Sequence, residues 1–324
     1  MIAGLIGTTA RDINIIKGVP KEKPGGPSIY AGLTFARLGI KIRIFTKLSE
    51  DHEYLLNDLH KEKNIELFPF YCEKTTEFFN NYPYPNNPDY REQFVGSISE
   101  AFTMYYISRY ISKLKECDIV YLGPLNIHDI PLDILKYLKN NGIILCLDIQ
   151  GYLRTIKDNT VVLTDWKEKD EGLGYIDILK TDERETKVLT GIEVRGEREA
   201  LRASERLAEK LCPSGLQEVI ITNGRKGSWI YSKKLNELIQ IPAFPPKEEA
   251  DKTGCGEAYV AGYISEMIDV IKGFTKELSK QNLNDIGMFS AMCGTFNVEA
   301  WGAFSGSRPK VNKRLEEEIQ KLKS

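Results

Sequence analysis

The chain has 324 residues, 42% of them hydrophobic, with 44 Lys and Arg against 46 Asp and Glu. This size and composition suit a well-packed protein of one large α/β domain or two ordinary ones. A formal net charge of -2 argues against a surface for nucleic acid, and no apolar run approaches the roughly 18 residues of a membrane span. We therefore expect a cytoplasmic protein that binds no nucleic acid and no membrane.

Short β-branched runs alternate along the chain with longer segments of helical period. The runs are "IAGLI" (2–6), "IRIFT" (42–46), "DIVYL" (118–122), "IILCLD" (143–148), "YIDILK" (175–180) and "EVIITN" (218–223). Apolar spacing predicts helices near 28–38, over 197–211 and from 257 to about 272. Strands that alternate with helices favour a mostly parallel sheet, and the apolar character of several runs indicates helices on both faces.

Two segments interrupt this alternation, at residues 12–24 and 66–98. Both are rich in Pro, Asn, Tyr and charged residues, with patterning that is compatible with short strands. Segments this long inside a compact domain are usually lids or binding loops. A disordered insertion is the alternative interpretation.

A glycine-flanked turn, "DKTGCGEAYVAGYI" (251–264), runs directly into the last predicted helix. A helix start presents unpaired N–H groups and the positive end of the helix dipole, and glycines let an anion approach them closely. The turn is therefore suited to phosphate oxygens. An ordinary helix N-terminus explains the same residues, because Glu257 in the first turn is favourable by itself.

A second polar turn, "TNGRKGS" (222–228), follows the strand "EVIIT" and contains Thr222, Gly224 and Gly227. Ligands of open α/β sheets bind at the carboxyl ends of the strands, where this turn is predicted to lie. A plain hairpin turn into "WIYSKK" is the alternative. Taken together, the two turns favour a nucleotide ligand.

The two turns belong to a longer ordered series of motifs. The series is "GLIGTTARDINI" (4–15), "GGPSIYAGLTFARLG" (25–39), "LDIQGYLR" (147–154), "ILKTDERETKVLTG" (178–191), "ITNGRKGS" (221–228) and "DKTGCGEAYVAGYI" (251–264). In this order, and over essentially the whole chain, they resemble the motifs of the ribokinase-like, or PfkB, family of sugar and nucleoside kinases. The resemblance implies a ribokinase-like three-layer α/β/α sandwich with a mostly parallel central sheet and a small β-lid. It further implies one kinase domain over residues 1–324, with the segments 12–24 and 66–98 as the lid.

The resemblance also implies an activity, the transfer of the γ-phosphoryl group of ATP, with Mg²⁺, to a hydroxyl group. The implied donor-side residues are the anion hole of Gly254, Cys255 and Gly256, the general base at Glu257, and the nucleotide contacts Thr222, Gly224 and Gly227. On the acceptor side the implied contacts are Asp12, Gly25, Gly26, Tyr30 and Arg154. The implied acceptor is a small-molecule sugar, polyol or nucleoside. Family lids often pair between subunits, and the family often has a loop for a monovalent cation, so the resemblance also raises a homodimer through the lid and a cation site.

Three departures from the family pattern qualify these roles. Glu257 replaces the usual aspartate, which keeps a carboxylate but lengthens it by one methylene. Asp182 replaces an asparagine and, with Glu185, forms a candidate Mg²⁺ site, directly or through water; a simple helix cap is the alternative. Tyr30 replaces an asparagine that faces the sugar, so the acceptor is a different polyol, a cyclitol or a nucleoside, unless Tyr30 only packs in the interior.

The prediction is thus an ATP-dependent carbohydrate kinase. Its rival from another class is a kinase relative that binds nucleotide or sugar for regulation and has lost efficient catalysis through Glu257 and Asp182.

Overall fold

A computed structural model describes residues 1–16, 18–83, 92–273 and 277–323, and the statements below refer to these residues. They contain fifteen strands: β1 (Ile2–Gly7), β2 (Ala10–Ile16), β3 (Val19–Gly25), β4 (Lys41–Leu48), β5 (Ile65–Tyr71), β6 (Thr76–Tyr82), β7 (Glu92–Ser97), β8 (Ile119–Gly123), β9 (Leu145–Asp148), β10 (Arg154–Lys157), β11 (Thr160–Leu163), β12 (Ile178–Asp182), β13 (Glu218–Thr222), β14 (Ser228–Ser232) and β15 (Glu237–Ile241).

The same residues contain eleven helices, joined in places by short 3₁₀ turns. They are α1 (Pro27–Arg37), α2 (Asn57–His60), α3 (Met104–Arg109), α4 (Ile111–Lys115), α5 (Leu132–Asn140), α6 (Lys169–Leu173), α7 (Glu183–Thr190), α8 (Glu197–Ala208), α9 (Cys255–Lys272), α10 (Lys280–Val298) and α11 (Arg308–Lys323). Each predicted helix is present within three residues of its expected ends. No helix within the described residues is long and apolar enough to cross a membrane.

Nine strands form the large sheet, in the order β15-β14-β13-β12-β9-β8-β1-β4-β5. The strands from β13 to β5 are parallel, whereas β14 and β15 continue the sheet by antiparallel pairing. One hydrophobic core packs α1, α9 and α10 on one face, and a second core packs α5 and α8 on the other. The result is a three-layer α/β/α sandwich in which β8 and β9 are buried on both faces.

The remaining six strands form a small sheet, in the order β10-β11-β7-β6-β2-β3. Ala10, Phe78 and Val95 of this sheet pack on Leu125, which follows β8 of the large sheet. One face of the small sheet therefore covers the carboxyl ends of the central parallel strands. It covers the edge at which ligands bind in open α/β folds.

The small sheet differs from the lid boundaries predicted from sequence. Residues 65–71 pair with β4 in the large sheet, so this stretch of the segment 66–98 is wrongly assigned to the lid, and the lid resumes at Thr76. The hairpin of β10 and β11, which the sequence did not indicate, adds two strands. Residues 84–91 of the predicted lid lie outside the described residues.

Candidate active site

The glycine turn and the start of α9 form the centre of the candidate site. Gly254 is the N-cap and has a φ of 82°, in the left-handed region that favours glycine. A Cβ atom at this position would collide with the ring of Tyr30, so the backbone packs directly on that ring. The N–H groups of Cys255, Gly256 and Glu257 open the helix and lack partners within it. This end of α9 therefore offers donors and the positive end of a dipole to an anion.

Cys255 contributes its backbone and not its thiol. Burial raises the pKa of the Cys255 thiol, so it stays protonated at neutral pH. The backbone N–H of Cys255 makes only a long contact of 3.4 Å with the Lys252 carbonyl oxygen. The Cys255 N–H can therefore donate a stronger hydrogen bond to a bound anion.

Glu257 lies half-buried in the first turn of α9, beside these N–H groups. Its Oε1 accepts a hydrogen bond of 3.2 Å from Nε2 of Gln150, in the 3₁₀ turn that follows β9. A carboxylate held next to an anion-binding helix start is placed to take the proton of a hydroxyl group that reacts there.

Lys180 is a further member of the site that the sequence interpretation did not single out. It lies on β12, is 6% exposed, and donates from Nζ to Oδ2 of Asp148 over 3.0 Å. A Cβ atom on Gly256 would lie 3.2 Å from this ammonium nitrogen. Burial alone lowers the pKa of Lys180, but Asp148, Glu185 and Glu257 more than offset that effect and the pKa is raised. The buried side chain is therefore a fixed positive charge against the start of α9.

Asp182 and Glu185 form a capping box at the start of α7. A helix cap is the alternative to a metal site that the sequence analysis gave for these two residues. Oδ1 of Asp182 accepts from the N–H groups of Arg184 and Glu185 at 2.8 and 2.7 Å, and Oε2 of Glu185 accepts from the N–H of Asp182 at 2.8 Å. One oxygen of each carboxylate is engaged in this box. Burial, with Asp148 and Asp182 nearby, raises the pKa of Glu185 to about 7 despite the opposing charge of Lys180.

Thr222 brings the second polar turn next to this capping box. It pairs with Asp182 across β13 and β12, and its Oγ1 donates to the Thr181 carbonyl oxygen at 3.3 Å. The turn from Gly224 to Lys226 leads into β14, which pairs antiparallel with β13. The turn therefore has the hairpin shape that the sequence analysis gave as the alternative. Gly227 has a φ of 91° and leaves no room for a side chain against the Ile241 carbonyl oxygen.

The predicted acceptor contacts Asp12, Gly25 and Gly26 lie together. The Asp12 carboxylate occupies the space where a Cβ atom on Gly25 would be. Gly26 is the N-cap of α1 with a φ of 84°, and its backbone lies against the Thr8 carbonyl oxygen. Asp12 is 5% exposed and lies two residues from Ala10 along β2, on the same face of the strand. It therefore belongs to the face of the small sheet that covers the large one.

Tyr30 and Arg154 have different neighbours in the structure. The Tyr30 side chain is 1% exposed, and its ring packs on Gly254, which is the interior role that the sequence left open. Arg154, at the start of β10, lines a cleft of about 510 Å³ between the small sheet and α7. Asp182 and Glu185 line the same cleft, so the structure groups Arg154 with the donor-side acids.

A helix N-terminus, a buried ammonium and a carboxylate meet at the carboxyl edge of a parallel sheet, beneath a second sheet. This geometry is suited to hold a phosphate group beside a proton acceptor. Sequence comparison supplies the family, because a family described as "pfkB family carbohydrate kinase" matches residues 133–310, more than half of the chain. The protein belongs to the pfkB family of carbohydrate kinases.

Curated relatives are similar to parts of the chain. A ribokinase of Haemophilus influenzae is 30% identical over 100 residues, which span 31% of this chain and 30% of that protein. A probable chloroplastic fructokinase-6 of Arabidopsis thaliana is 24% identical over 294 residues, 87% of this chain and 71% of that protein. The chain thus matches less than a third of the length of the Haemophilus ribokinase.

Solved structures share the fold over nearly the whole chain. A pyrophosphate-dependent kinase in the ribokinase family, complexed with a pyrophosphate analog and myo-inositol, has a TM-score of 0.76 at 20% identity and covers 97% of this chain and 100% of its own. Arabidopsis thaliana ribokinase, complexed with ribose and ATP, has a TM-score of 0.73 at 18% identity, with coverages of 97% and 98%. The predicted ribokinase-like fold is confirmed.

Proposed function

We propose that the protein transfers the γ-phosphoryl group of ATP to a hydroxyl group of a sugar, a polyol or cyclitol, or a nucleoside. The observation that carries this proposal is the meeting of three groups: the N–H groups at the start of α9, the Lys180 ammonium beside Gly256, and the Glu257 carboxylate. The first two groups suit a phosphoryl group, and the third suits the hydroxyl that attacks it.

In the proposed reaction the hydroxyl oxygen of the acceptor forms a bond to the γ-phosphorus while its proton passes to Glu257. The bond between the γ-phosphorus and the bridging oxygen breaks, and ADP leaves with that electron pair. The N–H groups that open α9, those of Cys255 and Gly256 from the predicted anion hole and that of Glu257, stabilise the charge on the phosphoryl oxygens together with Lys180. Gln150 fixes the Glu257 carboxylate through its hydrogen bond of 3.2 Å.

We propose that Asp182 and Glu185 hold Mg²⁺ together with the donor phosphates, directly or through water. Mg²⁺ commonly binds one or two carboxylates and completes its shell with water and substrate phosphates. Within the described residues no group of three or more His, Cys, Asp or Glu could hold a metal ion by itself. The proposed site therefore relies on the donor phosphates and water for its remaining ligands. The ion would neutralise charge on the donor phosphates.

Buried amides on the small sheet support an acceptor with several hydroxyl groups. Asn80 donates from Nδ2 to Oδ1 of Asn14 over 3.0 Å, and Gln93 donates from Nε2 to Oδ1 of Asn80 over 3.0 Å. Asn14 and Asn80 are 2% and 1% exposed, and they share a sheet face with Asp12. Amides and a carboxylate on one face suit the donors and acceptors of a polyol.

Product formation tests the proposal directly. Purified protein is incubated with ATP or pyrophosphate, Mg²⁺ with and without K⁺, and an acceptor panel of ribose, fructose, myo-inositol and inosine, and phosphorylated product is measured by ³¹P NMR. We expect turnover with ATP on at least one acceptor. Glu257→Gln should lower kcat by about 10²–10⁴-fold, because general-base catalysis contributes on that order.

Two outcomes would reject the kinase proposal. One is the absence of product across the panel while ATP still binds, which favours the rival binding protein. The other is a Glu257→Gln variant with the full rate. The K⁺ series decides whether a monovalent cation belongs to the reaction.

We also propose that residues 1–324 form one catalytic domain that pairs through its lid with a second copy. Ile13, Phe79 and Phe94 are cross-strand neighbours on the face of the small sheet opposite to Asp12. Phe94 is 44% exposed, and such an apolar face on a lid is suited to cover an equal face.

A further inference from the structure

A buried ion pair joins the lid to the loop that precedes the phosphate-binding helix start. Lys23 lies on β3, at the edge of the small sheet, and its ammonium contacts Oδ2 of Asp251. The two side chains are 7% and 6% exposed and stand 228 residues apart in sequence. Neither residue has a part in the reaction described above.

Asp251 also determines the shape of the loop from residue 251 to residue 254. Its Oδ1 accepts from the N–H of Thr253 at 3.0 Å, and its own N–H donates to the Val298 carbonyl oxygen at 3.1 Å. Asn297 donates from Nδ2 to the Thr253 carbonyl oxygen at 2.9 Å. The loop is thus held from one side by the end of α10 and from the other side by the lid.

Aromatic rings complete the surroundings of the Lys23 ammonium. Its nitrogen lies 5.7 Å from the ring centre of Tyr30 and 5.6 Å from that of Trp301. Tyr30 in turn packs on Gly254, the residue whose left-handed conformation starts α9. The Lys23 ammonium therefore contacts the loop 251–254 in two ways. It pairs with the Asp251 carboxylate, and it lies over the Tyr30 ring on which Gly254 packs.

Because the ion pair is buried, it couples the position of β3 to the position of the loop 251–254. A buried carboxylate that loses its cation is strongly unfavourable, so Asp251 keeps its position only while β3 is docked on the loop. We propose that Lys23 is a positioning residue: its ammonium orients the loop 251–254 and thereby aims the N–H groups at the start of α9. The anion site is complete only when the lid strand is in place. The catalytic consequence rests on the proposed phosphoryl transfer.

Chemical rescue of Lys23→Ala tests the proposal. We expect kcat to fall by roughly 10²-fold, because a displacement of about 1 Å in a positioned group costs on that order, while KM for the acceptor changes much less. Propylammonium replaces the missing atoms and should restore most of kcat, whereas tetramethylammonium at equal ionic strength should not. The matched control is Lys21→Ala, since Lys21 lies on the same strand and over the same Trp301 ring but is exposed.

The double variant Lys23→Met with Asp251→Asn separates positioning from stability. It removes both charges, avoids an unpaired buried carboxylate and keeps an oxygen for the Thr253 N–H. We expect it to fold with near-normal resistance to urea and still to show the lowered kcat. Wild-type kcat in this variant would overturn the proposal.

A binding measurement that needs no turnover keeps this proposal distinct from the kinase proposal. Calorimetry of inorganic phosphate should show affinity in the wild type, at least tenfold weaker affinity in Lys23→Ala, and recovery with propylammonium. Equal phosphate affinity in both proteins would reject the role of Lys23. Intact phosphate binding without product on any acceptor would reject the proposed function alone.

Discussion

At the scale of single residues, Gly254 links the chemistry of the site to backbone geometry. It has a φ of 82°, and the ring of Tyr30 fills the space of a side chain. The left-handed backbone and the contact with Tyr30 both act where α9 begins. The conformation of Gly254 therefore sets the direction of the N–H groups that open the helix.

Gly254→Ala should therefore lower kcat by about 10²-fold, because the helix start must shift away from Tyr30. Gly273→Ala is the matched control: Gly273 caps the other end of α9 with a φ of 61° and has open space at its Cβ position. Both variants should lose roughly 1–2 kcal/mol of stability from the left-handed conformation. Gly254→Ala should lose more than Gly273→Ala, because its Cβ atom also meets the Tyr30 ring. Steady-state kinetics and urea unfolding check the expectation, which fails if both variants lose activity equally.

Lys180 places a positive charge beside the start of α9 and is also the counter-ion of buried Asp148. Lys180→Met alone should cost about 3–5 kcal/mol, since it leaves Asp148 charged and buried. Adding Asp148→Asn should return most of that stability. The rate should stay about 10²–10³-fold low in the double variant, because the donor to the phosphoryl oxygens is still missing. Wild-type kinetics in the double variant would contradict a role for Lys180 in phosphate binding.

At the scale of elements, β13 and α9 meet through a buried carboxyl group. Glu218 is 0% exposed, and its Oε2 accepts a hydrogen bond of 2.5 Å from the Tyr263 hydroxyl. Burial raises the pKa of Glu218 to about 7, although the Tyr263 hydrogen bond opposes the shift. The folded protein keeps a proton that the unfolded chain loses near the ordinary glutamate pKa of 4.5. Stability therefore falls as the pH rises between those two values.

Glu218→Gln should remove this penalty. We expect its free energy of unfolding at pH 8 to exceed that of the wild type by on the order of 2 kcal/mol, with little difference at pH 4.5. The matched control is Glu237→Gln, whose exposed ion pair with Lys280 should contribute less than about 1 kcal/mol at either pH. Urea unfolding at both pH values measures the difference, and an unchanged pH profile would contradict the expectation.

The sequence predicted the central parallel strands of the large sheet well, because burial on two faces dictates their apolar runs. The half-buried edge strand β5 was assigned to the lid instead. The hairpin of β10 and β11 was missed, although Asp158 and Asn159 carried a signal. Both have positive φ, 49° and 56°, and such a pair of residues is typical of a two-residue hairpin turn. Lys180 was missed because one lysine in a strand becomes meaningful only when folding brings it to Gly256.

At the scale of the whole molecule, the site lies between two sheets whose facing surfaces have different chemistry. The small sheet turns Asp12, Asn14 and Asn80 toward the large one, and it turns Ile13 and Phe79 outward. Alternation along a strand places these sets on opposite faces, so the proposed acceptor contacts and the proposed subunit contact would use the same strands.

Ile13→Glu should therefore split the proposed dimer. A charge in the centre of an interface is costly to bury. Arg11 lies on the same face but already pairs with Glu22 and Glu77, so it does not offset the new carboxylate. Light scattering after gel filtration should give twice the chain mass for the wild type and the chain mass for the variant. Tyr105→Glu, which replaces a side chain that is 77% exposed on α3, should leave the mass unchanged. A monomeric wild type would reject the lid interface.

The scattered origin of the small sheet has a consequence for folding. Its strands come from three stretches of sequence, at 10–25, 76–97 and 154–163, and β2 pairs in parallel with β6 across more than fifty intervening residues. Such pairing closes long loops and gains few local contacts, which slows its formation. The large sheet alternates with helices that are near its strands in sequence, so it can assemble earlier. The strands of the small sheet can then pack on its surface. The ability to enclose a substrate would then be the last property that a refolding chain acquires.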